Sequence, residues 1–353
     1  MGLLTIGAFA KASGLSPKAL RLYDDLGLLV PAKVDEQTGY RRYGRDQLDQ
    51  ARLIAWLRRI GMPLTTIATV MRLCPEAAAR EVAAFWEQVE ADVAARRVLA
   101  SFLVEHLSGK DQAMTTDLLL RFAAMNDRGL VRPLNQDVAY ADDHLVAVAD
   151  GFGPRGERAS AGAVEALIRH RPAAGDVLVA LQEAAGHADE SVRSLAASEP
   201  GSETTGTTLT ALALSGSNIA LVHIGDSRAY LLRDGELLRL THDHTVVQEM
   251  VDDGRLTAAE AESHPHRAML IRALDGKEAA RPDALLQEPR VGDRYLLSSD
   301  GLHAVLPDEV LRAVLVEIPD PQEALAELVR RVHEAGAPDN VACALADVLA
   351  RDS

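Results

Sequence analysis

Five aspartates and one arginine are the residues that could do chemistry together. Asp150 lies in "AVADG", Asp226 in "VHIGDSR", Asp300 in "YLLSSDG" and Asp339 in "APDN", and Asp137 closes "VRPLNQD". The first four stand where extended segments end, and a rigid scaffold can converge side chains there. Ionised carboxylates brought together repel one another, so a site holding several of them calls for cations. A donor set made only of oxygen favours hard ions, Mg2+ or Mn2+. Two such ions can ready a water for attack and polarise a phosphoryl group. Arg132, five residues before Asp137, is the candidate to hold the phosphate oxygens. The chemistry indicated is metal-assisted hydrolysis of a phosphate ester. Turn chemistry explains any one of these Asp-Gly pairs, but it does not explain five acids in this order.

A second set of residues suits a different task. Residues 1–75 carry 11 Lys/Arg against 6 Asp/Glu, the remainder 26 against 46, within a net charge of -15. A basic head on an acidic body points the head, and not the body, at a polyanion. Ser16, Lys18, Arg21 and Tyr23 fall on the second helix of an expected helix-turn-helix, the element that reaches base edges and flanking phosphates. Tyr40, Arg41, Arg42 and Tyr43 follow on a hairpin, where basic residues beside aromatic ones suit the DNA backbone. The competing reading makes Leu20, Tyr23 and Tyr43 the core of a small domain and the arginines solvated. Spacing alone leaves both open.

The elements that must position these residues follow from periodicity and punctuation. A short helix from Thr5 to Lys11, the "ASGL" turn and a helix "PKALRLYDDLG" opened by Ser16 and Pro17 give the helix-turn-helix. "LLVPAKVDEQTGYRRYG" reads as two extended pieces around a turn at Asp35–Gly39. A helix over Asp46–Ile60 places Leu48, Ala51, Ile54 and Leu57 on one face. Residues 75–107 lack glycine and repeat Val82, Phe85, Val89, Val93, Leu99 and Leu103 at helical spacing. Such a helix cannot bury its stripe alone, and it needs its own protein or a second copy. "SGKDQ" at 108–112 reads as a linker. Beyond it, "HLVAVADG", "TLTALALSGSNIALVHIGDSRAYLLRDGELLRL" and "DRYLLSSDG" read as strands, with hairpin turns at "SGSN" and "RDGE". "RASAGAVEALIRH", "VLVALQEAA" and "PQEALAELVRRVHEAG" read as helices outside them, an antiparallel α+β arrangement.

At 353 residues, and about 150 per domain, the chain is expected to hold two domains. With 48% hydrophobic and 25% charged residues its composition is that of a globular protein, which excludes wholesale disorder. No apolar run approaches the roughly 18 residues of a membrane helix, so no membrane partner is expected. The stretch Leu3–Ala10 is stopped by Lys11 and lacks the basic segment of a signal peptide. Cys74 and Cys343 build neither a disulfide framework nor a thiolate metal cage, and a cytoplasmic setting is expected. His242, His244, His264 and His266 are expected to be hydrogen-bonded or at the surface rather than metal ligands. Trp56 and Trp86 are expected to pack.

Two family resemblances sharpen these readings. Residues 4–72, through "ALRLYDDLGLL" and "GYRRY", resemble the DNA-binding domain of the MerR family of bacterial transcription regulators. The resemblance implies a winged helix-turn-helix with Lys18, Arg21 and Tyr23 near DNA and Tyr40, Arg41 and Arg42 in the wing. It also implies a homodimer through residues 75–107 and promoter DNA as partner, read partly by shape. With only Cys74 near the dimer helix, a thiolate metal sensor is not expected. "GLVRPLNQD", "AVADGFG", "GTTLTALALSG", "ALVHIGDSRAYLLRDGEL", "YLLSSDGL" and "GAPDNVACALADV", spanning about residues 115–350, resemble the PPM (type 2C) metal-dependent Ser/Thr protein phosphatases of bacterial type. That resemblance implies two antiparallel sheets packed face to face with helices outside, and two Mn2+ or Mg2+ ions at one edge. Asp150 would bridge both ions and the Gly151 carbonyl would bind one. Asp300 and Asp339 would hold the other, Asp137 would support the site, Arg132 would bind phosphate and Asp226 a looser third ion.

Three positions depart from the family pattern. Gln136 replaces a glutamate ligand of animal members, and Phe152 replaces their histidine acid. Ala304 stands where many members have a second aspartate for the third ion, which weighs against that ion. The organisation expected is residues 1–73 as a MerR-like winged helix-turn-helix, 74–110 as a long dimerisation helix and 113–351 as the phosphatase domain. In fold class this is an all-α head and long helix followed by an α+β sheet sandwich. The function expected is a DNA-binding regulator carrying a phosphatase for a phosphorylated protein. Its rival is a phosphatase-fold sensor with little catalysis.

Overall fold

The computed structural model describes residues 3–35, 39–108, 118–171, 176–198, 204–253, 255–257, 260–261, 264–277 and 279–350; in the helix over 75–108 it omits the side chains of 87, 91, 92, 94–96, 98, 99 and 101–108. The chain divides into two compact units, residues 1–86 with 247–267, and residues 87–246 with 268–353. The division falls inside the long helix rather than at its ends. Of the expected linker at 108–112, Ser108 still belongs to the long helix and 109–112 lie outside the described residues.

The first unit opens with β1 (Leu4–Thr5), α1 (Ile6–Ser13) and α2 (Pro17–Asp25). It continues with β2 (Lys33–Val34), β3 (Arg41–Tyr43), α3 (Leu48–Arg59), α4 (Leu64–Val70) and the start of α5 (Pro75–Ser108). Thr5 caps α1 by accepting from the Ala8 amide (3.3 Å), and Ser16 caps α2 by accepting from Ala19 (3.0 Å). Each thereby satisfies an amide that has no partner inside its helix. The strands form one antiparallel sheet in the order β1-β3-β2, so the wing recruits the N-terminal segment as well as its own two strands. The core is Phe9, Leu20, Tyr23, Leu29, Tyr43, Ile54, Met62 and Ile67, with Val82 and Phe85 of α5 packed against it. Tyr43 stacks on Phe9 with ring centroids 4.6 Å apart and donates its hydroxyl to the Leu20 carbonyl. The two tryptophans depart from expectation. Trp56 is 64% exposed on α3, because Ala51, Ile54 and Leu57 take the buried face, and Trp86 of α5 is exposed as well.

The second unit holds β4 (Leu118–Asp127), β5 (Asp137–Ala141), β6 (Leu145–Phe152), α6 (Gly156–Arg169) and α7 (Val177–Ala197). Then come β7 (Gly206–Thr207), β8 (Leu209–Ser215), β9 (Asn218–Ile224), β10 (Arg228–Arg233) and β11 (Glu236–Arg239). α8 (Val246–Asp252) belongs from Val247 onward to the first unit, and the second unit resumes with β12 (Asp283–Gln287) and β13 (Arg294–Ser298). α9 (Asp300–His303), α10 (Asp308–Glu317), α11 (Pro321–Glu334) and β14 (Val341–Ala350) complete it. One antiparallel sheet runs β11-β10-β13-β14-β4; the other runs β12-β9-β8-β6-β5, with β7 on β6.

Strict alternation explains the layers. In β14, Val341, Cys343 and Leu345 face α9, α10 and α11, while Ala342, Ala344, Ala346 and Val348 face the other sheet. In β6, Leu145, Ala147 and Ala149 pack under α6 and α7, while Val146 and Val148 point between the sheets. The result is helices, sheet, sheet, helices. The same alternation carries Asp150 onto the inner face at the end of β6. Among the described residues no helix is long and apolar enough to cross a membrane.

Candidate active site

Asp137 and Asp150 face each other in register across the β5–β6 pair. Like charges so placed destabilise a sheet, and the neighbourhood adds more of them. Burial pushes Asp150 well above the usual carboxylate range, helped by the charges of Asp137, Asp300, Asp226 and Asp339. Burial likewise raises Asp137 to about 7, with Asp300 and Asp339 adding to it, against the lowering hydrogen bond that Ser299 Oγ donates to Asp137 Oδ2 (2.6 Å). Asp300, at the start of α9, is raised by burial and by Asp339; Asp226, after β9, by burial, Asp300 and Asp243. The five aspartates named from the sequence therefore meet at one end of the sandwich, Asp137, Asp150 and Asp226 from one sheet and Asp300 and Asp339 from the other, within each other's fields.

Arg132 completes the set. Its Nη2 donates to Asp339 Oδ2 at 2.7 Å. A cavity of about 1040 Å³ opens over the group, lined by Arg132, Phe152 and four of the aspartates and walled by parts of the 268–281 stretch. Among the described residues no three His, Cys, Asp or Glu side chains already stand in coordinating geometry; Asp339 is turned to Arg132 and Asp137 to Ser299. The donor set nevertheless fits a hard divalent ion. It is all oxygen, and a cation would offset the mutual repulsion that raises Asp137, Asp150, Asp226 and Asp300.

Asn340, Gly301 and Thr208, which position the aspartates, were not singled out in the sequence, and Gln136 was noted there only as a departure. Asn340 takes the Gln136 amide on Oδ1 (2.9 Å) and donates Nδ2 to the carbonyls of Arg128 (2.8 Å) and Leu134 (2.9 Å), so it clasps the Arg132 loop to the end of β14. Gly301 lies so close to it that a Cβ there would sit 1.9 Å from the Asn340 carbonyl oxygen. Gln136 donates Nε2 to the Gly153 carbonyl (2.9 Å), and its own carbonyl accepts from the Gly151 amide (3.0 Å). Thr208 Oγ1 accepts from the Asp150 amide (2.9 Å) and meets Ser227 Oγ at 2.7 Å, joining the loops of Asp150 and Asp226.

Gly225, at φ +110°, is held from both sides by His244. The His244 amide donates to the Gly225 carbonyl (2.7 Å), and the Gly225 amide donates to His244 Nδ1 (3.1 Å). His244 Nε2 then donates to Asp283 Oδ2 (3.0 Å), and Arg272 anchors that carboxylate at 2.9 Å. Burial lowers the His244 pKa, which keeps the ring neutral as this pattern needs. His244 is thus a hydrogen-bonded histidine, as expected. Its neighbour in "LTHDHT" is Asp243, which burial raises but which Arg239 and Arg228 hold down to about 2.

Comparison with known proteins agrees with this geometry. Residues 134–350 match the profile of protein phosphatase 2C. The chain belongs to the protein phosphatase 2C family. Residues 4–74 match the MerR HTH family regulatory protein. The serine/threonine protein phosphatase PstP of Mycobacterium tuberculosis is 45% identical over 239 residues, which is 67% of this chain and 46% of that protein, so the match spans about half of the relative's length. The serine/threonine phosphatase stp of Listeria innocua is 28% identical over 236 residues, 63% of this chain and 93% of that protein. The crystal structure of Mycobacterium tuberculosis PstP superposes with a TM-score of 0.63 at 44% identity, covering 66% of this chain and 100% of that one. A structure of the PstP catalytic domain in complex with two manganese ions superposes at 0.61 with 43% identity, again over 66% of this chain and 100% of that one. In this member of the phosphatase 2C family, Phe152 lines the cavity and Ala304 ends α9.

The head sorts its expected DNA residues into two groups. Ser16, Lys18, Arg21, Tyr40 and Arg42 are exposed. Tyr23 is not: it is 5% exposed in the core, and burial raises its phenol, so packing takes the ring that the sequence assigned to DNA. Arg41 is also committed. Its Nε donates to Asp24 Oδ2 (2.5 Å) and its Nη2 to Asp25 Oδ1 (3.4 Å), which ties the wing to α2.

Proposed function

We propose that the second unit is a metal-dependent phosphoserine/phosphothreonine protein phosphatase and that the first binds promoter DNA, as a dimer through residues 75–107. The observation that carries the enzymatic half is the convergence of Asp137, Asp150, Asp226, Asp300 and Asp339 at one end of the two sheets with Arg132 aimed into it.

Asp150 and the Gly151 carbonyl, supported by Asp137, would hold one divalent ion, Mn2+ or Mg2+. Asp300 and Asp339, with Asp150 between, would hold a second. Asp226 would hold a third only weakly, since Ala304 supplies no carboxylate. Bound ions would supply the positive field that ionises a water and offsets charge on the phosphoryl group. Arg132 binds the phosphate oxygens and aligns the ester with that water. Gln136 and Asn340 keep the Arg132 loop and the Asp150 turn at fixed separation. Phe152 excludes water from one wall but carries no proton, so the leaving alkoxide takes its proton from solvent or another acid.

Ala304 favours a second reading, a catalytically weak sensor whose body controls a DNA-binding switch. Mn2+-dependent phosphate release from a phosphothreonine peptide, compared with Asp150→Ala, decides between them. Release that vanishes in the variant supports the enzyme. Equal, background release from both supports the sensor. The head is tested by gel shift with the protein's own upstream DNA across a salt series, where contacts through Lys18, Arg21 and Arg42 predict steep weakening with salt.

A further inference from the structure

The loop that carries Arg132 exposes three aliphatic side chains. Leu130 is 62% exposed, Val131 68% and Leu134 61%, all within five residues. Single exposed aliphatics are ordinary, but three on one short loop mark a surface suited to meeting a partner. This group is held rigid. The Leu130 amide donates to the Ala337 carbonyl (2.9 Å) and the Gly129 amide to Asp127 Oδ1 (2.7 Å). Asn340 holds the carbonyls of Arg128 and Leu134 at 2.8 and 2.9 Å. With the backbone fixed at both ends, little ordering entropy is lost when the loop binds a partner. Within the same few residues Arg132 turns inward to Asp339, while Val131 and Leu134 remain in solvent. The apolar group therefore flanks, along the chain, the arginine proposed to receive the phosphate.

We infer that Leu130, Val131 and Leu134 form an apolar lip that selects phosphopeptide segments carrying an aliphatic or aromatic side chain close to the phosphorylated residue. The occupant is the substrate's own chain. When Arg132 takes the phosphate, residues flanking it pass over the lip, and an apolar side chain there leaves water against Val131 and Leu134. The inference rests on the phosphatase reading for its substrate, and it assigns to this loop the choice among phosphopeptides. Losing one apolar side chain from such a contact is expected to cost about tenfold in kcat/KM.

The test uses the whole protein with Mn2+ and two phosphothreonine peptides that differ only in leucine or serine at the flanking positions. Hydrolysis and fluorescence-anisotropy binding are measured side by side. The parent is expected to favour the leucine peptide about tenfold in kcat/KM. Val131→Ser and Leu134→Ser are expected to bring the ratio near one, and Val131→Leu to keep it. A parent ratio near one, or a ratio that survives both serine variants, overturns the lip. Absence of hydrolysis with p-nitrophenyl phosphate, which has no flanking residues, would defeat the phosphatase reading separately. The anisotropy ratios then decide the lip alone: a leucine preference lost in the serine variants supports it, and equal binding overturns it.

Discussion

Asp137→Asn should make the metal-free protein more stable at alkaline pH while impairing the site. Asp137 is 6% exposed, faces Asp150 across the β5–β6 pair and is raised from its ordinary 3.8 to about 7. The native state therefore holds more protons than the unfolded chain between about pH 4 and 7. Stability falls as pH rises through that window and stays low above it. Three units at about 1.4 kcal/mol each give up to about 4 kcal/mol for this one group. In a unit of this size that is on the order of 10 °C in Tm. Asparagine keeps an acceptor for the Ser299 hydroxyl and removes the charge. Below about pH 4 parent and variant should melt together in EDTA, because the carboxyl is then largely neutral in the folded and the unfolded chain alike. At pH 8.5 the variant should melt several degrees higher. Mn2+ should raise the parent's Tm far more at pH 8.5 than at pH 5, since binding to the native state alone adds stability. A parent whose metal-free Tm is flat from pH 5 to 8.5, with no gain in the variant, would refute the view that these carboxylates oppose one another.

Three further outcomes are expected. Arg132→Ala should lower kcat/KM for a phosphate ester by roughly 10- to 100-fold, the loss of a charge-assisted hydrogen bond of about 1.5–3 kcal/mol, with the Mn2+ requirement retained; steady-state kinetics across a metal series checks this. His244→Leu leaves the Gly225 amide without its acceptor, at about 1–3 kcal/mol, and should weaken Mn2+ binding measured calorimetrically, whereas His244→Asn, whose amide oxygen can take that N–H, should restore it. Arg42→Ala should reduce the salt slope of DNA binding by about 0.9 if its exposed side chain meets one phosphate, while Arg41→Ala, held by Asp24, should act through loss of head stability seen in thermal melting.

The aspartate cluster was legible because its signals are local. Asp150, Asp226 and Asp300 each end a short alternating segment, whereas Asp137 opens β5 and Asp339 precedes β14 rather than ending a strand; alternation alone sends Asp150 inward from Val146 and Val148. The long helix and the caps at Ser16 and Pro17 were legible for the same reason. The clasps were not. Asn340 reaches Gln136 across 204 residues and Ser299 reaches Asp137 across 162, and no window of sequence contains both partners. Tyr23 shows a different limit. An aromatic ring with a polar tip suits both a core and a DNA surface, and only packing against Phe9, Leu20 and Ile54 decides. Arg41 shows the same for charge: its partner Asp24 lies on another element, so the sequence presents it as free.

The ion pair between Arg132 and Asp339 links two binding events. Asp339 is a proposed metal ligand and Arg132 the proposed phosphate holder, and each is engaged by the other at 2.7 Å. A cation that takes Asp339 releases the arginine, and a phosphate that takes the arginine releases the aspartate. Each ligand thus removes a competitor of the other, and the two must bind with positive, reciprocal cooperativity. Both side chains are partly exposed, so breaking the pair is worth no more than about 1 kcal/mol and the coupling is a few-fold. The arginine is a resident counter-ion to Asp339, and because the coupling is reciprocal it strengthens the second ligand equally whichever binds first.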